Sequence, residues 1–130
     1  METRSECKDK KGVILLVDDE ETIVEVCALM LKRLGYSVLE ARDGQTAIEI
    51  FEKNKDIVNV VILDMRMPGM NGATVYDYLK KIKPDVKVLL FSGYFENKHT
   101  RSILENNNTD LIQKPVRLKH LSAKLENILR

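Results

Sequence analysis

The sequence predicts an α/β domain in which helices cover both faces of a parallel sheet. Five strand-like runs alternate with five helix-like segments along the 130 residues, which is the pattern that βαβ units produce. Two runs, residues 13–17 and 58–63, are almost entirely β-branched or aliphatic, as expected for strands that are buried on both faces. Carboxylates follow both runs directly, where open α/β sheets bind their ligands.

The composition is that of one globular domain. Hydrophobic residues make up 44% and charged residues 32% of the chain, which is ordinary for a protein with a real core and argues against disorder. The net charge of +1 gives no general reason to expect nucleic acid or an anionic membrane as a partner. No apolar run approaches the roughly 20 residues of a membrane helix. Cys7 and Cys27 are far apart, so neither a disulfide nor a metal site is predicted.

The N-terminus is predicted to be a flexible charged leader over residues 1–12, with the folded domain over residues 13–130. The leader mixes acidic and basic residues and lacks the apolar segment of a signal peptide, so we expect a cytoplasmic protein. After the first strand, a helix is predicted that ends at Gly35. Acidic residues in its first turn suit the positive end of the helix dipole, which accounts for Glu20 and Glu21 without any other role. Its predicted inward face is Ile23, Cys27, Met30, Leu31 and Leu34.

The middle of the chain predicts two strands and two helices. Residues 37–41 form a shorter and more polar strand, which is expected at an edge of the sheet. Asp43 opens the second helix, residues 58–64 form the third strand, and the third helix ends near Pro84. The predicted inward faces of the two helices are Ala47, Ile48 and Phe51, and Val75, Tyr76, Leu79 and Ile82.

The last third of the chain predicts two more strands around a weak segment. Residues 86–91 form the fourth strand. Residues 96–108 offer few apolar anchors, so this segment should be the least firmly held. Residues 111–113 form a short fifth strand that runs into Lys114. The inward face of the final helix is predicted to be Leu118, Leu121, Leu125 and Ile128.

Polar side chains at four strand ends point to phosphoryl chemistry. Three carboxylates at one rim, those of Asp18, Asp19 and Asp64, would repel each other and stay ionised only with a cation between them. Oxygen ligands select a hard ion, and Mg²⁺ is the one expected beside a phosphoryl group. The Ser92 hydroxyl and the Lys114 ammonium would neutralise that group, and Asp64 could attack phosphorus and become an acyl phosphate.

Taken one at a time, these residues have ordinary explanations. Asp64 could be a loop aspartate that caps the next helix, and Lys114 could be a surface lysine. Ser92-Gly93 could be a turn. Only together, each at a strand end, do they favour a site over coincidence.

Four motifs resemble the signatures of the response-regulator receiver domain of two-component signalling, over residues 13–129. They are Leu16-Val17-Asp18-Asp19-Glu20, Asp64-Met65-Arg66-Met67-Pro68-Gly69-Met70-Asn71-Gly72, Ser92-Gly93-Tyr94 and Lys114-Pro115. The resemblance implies a flavodoxin-like doubly wound sandwich, with five parallel strands in the order 2-1-3-4-5 and five helices. It also implies phosphoryl transfer to Asp64 from the phosphohistidine of a histidine kinase or histidine phosphotransfer protein.

The resemblance assigns a role to each site residue. Mg²⁺ would be bound directly by Asp19 and Asp64, and by Asp18 directly or through water, with the backbone carbonyl of Arg66 completing the protein ligands. Ser92 and Lys114 would hold the phosphoryl oxygens, helped by the backbone N–H groups of Met65 and Gly93. The Lys114-Pro115 peptide bond is expected to be cis.

Two departures from the family pattern matter, one at Leu111 and the other at Arg66 and Tyr94. Leu111 stands where receivers often carry an aromatic residue that couples to the serine, so the aromatic switch is missing or has moved, for example to Tyr94. Arg66 and Tyr94 flank the path of the attacking water in this family, and bulky groups there could slow phosphoryl loss.

The output face is expected to comprise residues 94–113 and the last helix. A dimer through the fourth helix, fifth strand and fifth helix is left open.

Other classes fit less well. An aspartate-nucleophile phosphohydrolase needs a second carboxylate two residues after the nucleophile, and Arg66 stands there. No G-x-x-x-x-G-K-[ST] loop occurs. We therefore expect no enzyme for external substrates. The remaining alternative is a degenerate receiver that binds proteins without phosphorylation. In either case, a downstream protein or a fused output domain would be the next partner.

The two histidines, His99 and His120, are interpreted as surface residues.

Overall fold

The structure is a computed structural model that describes residues 11–92 and 98–130, apart from the side chains of Lys98 and His99. Its strands are β1 (Gly12–Val17), β2 (Tyr36–Ala41), β3 (Val58–Asp64), β4 (Val88–Ser92) and β5 (Thr109–Gln113). Its helices are α1 (Glu21–Arg33), α2 (Gly44–Asn54), α3 (Gly72–Ile82), α4 (Lys98–Leu104) and α5 (Leu118–Ile128).

The five strands form one parallel sheet in the order β2-β1-β3-β4-β5. This confirms the doubly wound fold and the edge position of the second strand. β4 begins two residues later than predicted, because Val86 still belongs to the preceding turn and donates its N–H to the carbonyl of Lys83. β5 begins two residues earlier, because Thr109 already pairs with Val88.

The core lies on both faces of the sheet, because successive residues of the buried strands point to opposite sides. On one face, Val60 and Ile62 of β3 pack with residues from α1 and α5. On the other face, Val61 and Leu63 pack with residues from α2, α3 and α4. The central strands are therefore covered twice, which explains why their sequences are continuous apolar runs.

The helix faces agree with the predicted periodicity at most positions. On α1 the buried residues also include Val24 and Ala28, beside the predicted Cys27 and Leu31. The prediction for Leu118 is wrong, since this side chain is 36% exposed. It is the first residue of α5, and the buried stripe of that helix begins one turn later, at Leu121.

The start of α3 decides between two explanations for Asp64. The N-cap of this helix is Asn71, whose side chain accepts a hydrogen bond from the backbone N–H of Thr74 at 3.0 Å. Asp64 is instead the last residue of β3. It therefore does not cap the helix that follows.

The segment after β4 is described only in part. α4 has seven residues, of which Thr100 and Ile103 are buried. Beyond it, the Thr109 hydroxyl donates to the carbonyl of Ile103 at 2.8 Å, and Lys80 Nζ donates to Asn106 Oδ1 at 3.2 Å. That this segment is the least firmly held stays a prediction.

Among the described residues, no helix has both the length and the apolarity to span a membrane.

Candidate functional site

The carboxyl ends of β1 and β3 bring three carboxylates together. The two strands are neighbours with Val17 beside Leu63, so the next residues, Asp18 and Asp64, lie side by side. One oxygen from each of Asp18, Asp19 and Asp64 lies within 4.8 Å of the others. Asp18 and Asp64 are buried, at 0% and 3% exposure, whereas Asp19 is exposed.

The Lys114 ammonium lies against this cluster. Its Nζ is 3.0 Å from Asp18 Oδ2 and 3.5 Å from Asp64 Oδ1. The backbone holds the residue in place, because the Lys114 N–H donates to the carbonyl of Ser92 at 2.8 Å. The Lys114-Pro115 peptide bond is cis, as the resemblance implies. The ends of β1, β3, β4 and β5 therefore meet at one rim, as the sequence predicts.

Sequence reasoning missed the place of Glu20. Glu20 is the N-cap residue of α1, where its charge suits the helix dipole, and its side chain makes no capping hydrogen bond. Its Oε1 lies 4.0 Å from Lys114 Nζ. The signal that could have found it is its position in the acidic run directly after β1.

Backbone N–H groups two residues further along the chain orient the two buried carboxylates. Asp18 Oδ1 accepts the N–H of Glu20 at 3.0 Å, and Asp64 Oδ1 accepts the N–H of Arg66 at 3.1 Å. The following loop packs closely on Asp64, because a Cβ added at Gly72 would lie 2.7 Å from the Asp64 carbonyl oxygen. Position 72 therefore has no room for a side chain.

Burial and neighbouring charges shift two pKa values in the site. Burial raises the pKa of Asp64 from 3.8 to about 7; the Asp18 charge adds to this, while the Arg66 N–H and Lys114 oppose it. Burial alone would lower the pKa of Lys114. The hydrogen bond to Asp18 and the charges of Asp64, Asp18 and Glu20 outweigh that effect and raise its pKa above 10.5.

The donor set fits a hard cation. It consists of carboxylate oxygens, and two of the three carboxylates are buried and fixed by backbone N–H groups. Such ligands suit Mg²⁺ rather than a soft metal, which would want thiolate or imidazole. With one ammonium among three carboxylates, the cluster is also short of positive charge.

The other predicted residues are placed as follows. Ser92 ends β4 and is buried, and Leu111 is half-buried on β5, paired with Leu90. Arg66 is exposed. His120 is exposed, as predicted. Gly93, Tyr94 and the side chain of His99 lie outside the described residues.

Comparison with known proteins agrees with this geometry. The profile of the response regulator receiver domain matches residues 14–126. The chain belongs to the response-regulator receiver family. This confirms the resemblance seen in the sequence. The chain is thus a receiver domain of two-component signalling, and its acidic site is consistent with a phosphoacceptor role.

Similar proteins carry such a receiver within longer chains. The receiver is 34% identical over 118 residues to the sensor kinase CckA of Brucella abortus, and this match covers 91% of the chain but 12% of the kinase. It is 32% identical over 117 residues to a cyclic di-GMP phosphodiesterase of Thermotoga maritima, covering 90% of the chain and 31% of that protein. The receiver therefore spans less than a third of the length of either relative.

Solved structures share the fold. The crystal structure of a response regulator receiver domain protein from Clostridium thermocellum has a TM-score of 0.85 and 30% identity, and the match covers 91% of this chain and 94% of that one. The receiver domain of the hybrid histidine kinase CckA has a TM-score of 0.78 and 30% identity, covering 92% of this chain and 100% of that one.

Proposed function

We propose that this receiver accepts a phosphoryl group on Asp64 from the phosphohistidine of a histidine kinase or histidine phosphotransfer protein. The observation that carries the proposal is the buried Asp64 carboxylate at the end of β3, with Lys114 Nζ 3.5 Å away. In the transfer, an Asp64 oxygen forms a bond to phosphorus and the phosphorus–nitrogen bond breaks. The imidazole leaves with the electron pair and takes up a proton.

The acidic cluster would hold Mg²⁺ in this reaction. Asp18, Asp19, Asp64 and the backbone carbonyl of Arg66 are the proposed ligands. The bound ion would neutralise charge on the phosphoryl oxygens. The 4.8 Å spread of the carboxylate oxygens and their hard-donor chemistry support this assignment.

Neighbouring groups would hold the phosphoryl oxygens. Lys114 supplies a full positive charge and Ser92 a hydroxyl. The backbone N–H of Met65 now donates to the Phe91 carbonyl at 3.3 Å, a long bond that it can share with an incoming oxygen. Gly93 would add a second N–H. The Lys114 ammonium would exchange part of its contact with the carboxylates for contact with the phosphoryl group. Because Lys114 follows β5 and is bonded to the end of β4, phosphorylation would then affect the ends of both strands.

The test is to incubate the protein with acetyl phosphate and Mg²⁺ and then to measure the mass of the intact protein. Wild type should gain the mass of one phosphoryl group, which hydroxylamine should remove because the product is an acyl phosphate. Chelation of Mg²⁺ and the variant Asp64→Asn should each prevent the gain. An unchanged mass for wild type, or a gain that survives in Asp64→Asn, would overturn the assignment.

We propose that the switch acts on residues 94–113 and α5. Ser92 and Lys114 are joined by the 2.8 Å backbone hydrogen bond, so a phosphoryl group that pulls on either residue biases the segments beyond both. Moving a minor state from about 1% to about half requires roughly 2.7 kcal/mol, at about 1.36 kcal/mol per decade. Hydrogen exchange with and without beryllofluoride tests this. Protection changes confined to residues 20–50 would contradict it.

A receiver that binds its partner without phosphorylation is the second candidate. Leu111 favours it, because an aliphatic side chain on β5 replaces the aromatic residue that often couples to the serine. In that case beryllofluoride would leave the exchange pattern and partner affinity unchanged. Under either candidate, the next partner is a downstream protein or an output domain fused to the receiver, and we propose that the receiver domain itself turns over no external substrate. The cytoplasmic location stays a prediction.

A further inference from the structure

A buried aromatic ring lies under the Lys114 ammonium. The centroid of the Phe91 ring is 5.1 Å from Lys114 Nζ. Phe91 is 1% exposed and belongs to the core on the α1 and α5 face of the sheet. A cation at this distance over a ring is attracted by the negative face of the π system, more strongly when the site is desolvated.

Phe91 also touches the acceptor side of the site. It is the register partner of Asp64 between β3 and β4, and its carbonyl accepts the N–H of Met65 at 3.3 Å. The next residue, Ser92, accepts the backbone N–H of Lys114 at 2.8 Å. One short stretch of β4 therefore connects the acceptor carboxylate to the lysine that faces it.

The surroundings explain why the lysine needs such a contact. A cavity of about 150 Å³ lies beside it, with Cys27, Phe91, Lys114 and Pro115 among its walls. A lysine side chain loses rotamer entropy when its flexible four-carbon stem is held in one position. The ring limits the space open to the flexible stem and attracts its charged end, so this ordering is complete before the phosphoryl group arrives.

We propose that Phe91 is a positioning residue for phosphoryl transfer, whose ring face holds the Lys114 ammonium beside Asp18 and Asp64. This inference rests on the proposed function of Asp64. It goes beyond ordinary core packing, because a leucine could fill the apolar volume but could not attract the ammonium.

Fluorinated phenylalanines introduced at position 91 separate the two explanations. Adding one, two and three fluorine atoms withdraws charge from the ring face while keeping its shape. The rate of Asp64 phosphorylation by acetyl phosphate should fall in steps, by about fivefold in total, which is about 1 kcal/mol at about 1.36 kcal/mol per decade. Phe91→Leu should lower the phosphorylation rate about as much as the trifluorinated ring does. Phe91→Tyr, which keeps an aromatic ring, should retain most of the wild-type rate.

The matched control is the same fluorinated series at Phe51. This ring is also fully buried but packs in the core on the α2 and α3 face. Fluorination there should leave the rate unchanged. A flat series at position 91, or an equal slope at position 51, would overturn the role of Phe91.

A second measurement does not depend on activity. In the NMR spectrum of the unphosphorylated protein, the ring current of Phe91 should shift the terminal methylene protons of Lys114 upfield relative to Phe91→Leu. Equal shifts in the two proteins would refute the contact even if the rates changed. If wild type is not phosphorylated but the upfield shift is present, the proposed function fails while the contact of Phe91 with Lys114 stands.

Discussion

Replacing the acceptor by its neutral isostere should stabilise the metal-free protein. Asp64 is buried beside Asp18, and this environment raises its pKa from 3.8 to about 7. Between these values the native protein holds a proton that the unfolded chain releases, so the free energy of unfolding falls as pH rises through this window. Asp64→Asn removes the ionisable group, so the free energy of unfolding no longer falls in this window for that reason.

The size of the effect follows from the shift. A rise of about 3 pKa units at about 1.36 kcal/mol each gives an upper bound of about 4 kcal/mol above neutral pH. We expect a gain of about 2 kcal/mol, because the asparagine amide keeps part of the burial cost that the carboxylate had. Saturating Mg²⁺ should shrink the difference, because the ion binds native wild type and stabilises it by mass action.

The assay is urea unfolding of wild type and Asp64→Asn with EDTA at several pH values between about 4 and 8. The gain should grow as pH rises. Asp19→Asn is the matched control, because Asp19 belongs to the same cluster but is exposed. It should change the free energy of unfolding by less than about 0.5 kcal/mol. A gain for Asp64→Asn that is absent, or equal at every pH, would refute the reasoning.

Three further predictions follow from contacts in the site. Lys114→Met removes the ammonium 3.0 Å from Asp18 and should lower the free energy of unfolding in EDTA by about 3 kcal/mol, with Mg²⁺ restoring much of it; equal stability in EDTA would contradict this. Gly72→Ala would place a Cβ 2.6 Å from the Met65 Cα, so it should cost about 2 kcal/mol and slow phosphorylation. Its control, Gly69→Ala, meets nothing within 4 Å and should cost about 1 kcal/mol for its positive φ, with the rate unchanged; similar rates in the two variants would be the adverse result. Arg66→Ala should shorten the lifetime of the acyl phosphate, because the exposed Arg66 side chain, two residues after Asp64, would no longer hinder the attacking water. An unchanged lifetime would show that Arg66 does not slow phosphoryl loss.

Much of the fold could be predicted because its signals are local. Apolar runs located the buried strands, helical periodicity located the helices, and carboxylates marked the ends of β1 and β3. The strand order came from the resemblance rather than from periodicity, since local patterns do not say which strands are neighbours. Strand boundaries shifted where pairing decided them, as at Thr109 and Val88.

Other features depend on tertiary structure and leave little trace in the sequence. Both faces of a buried strand are apolar, so nothing in the sequence shows that Phe91 points toward Lys114 while Leu90 packs on the opposite face. Glu20 could be explained by its helix start alone, and its 4.0 Å approach to Lys114 depends on how the chain turns after β1. Leu118 fitted the helical period, but α5 begins at this residue and leaves it 36% exposed.

The most direct test of the central claim is to locate the phosphoryl group in the chain. Borohydride reduction converts an acyl-phosphate aspartate to homoserine, which peptide mass spectrometry can assign to one position. After treatment with acetyl phosphate and Mg²⁺, homoserine should be found at position 64 and at no other aspartate. Homoserine at Asp18 or Asp19, or at no position, would contradict the account.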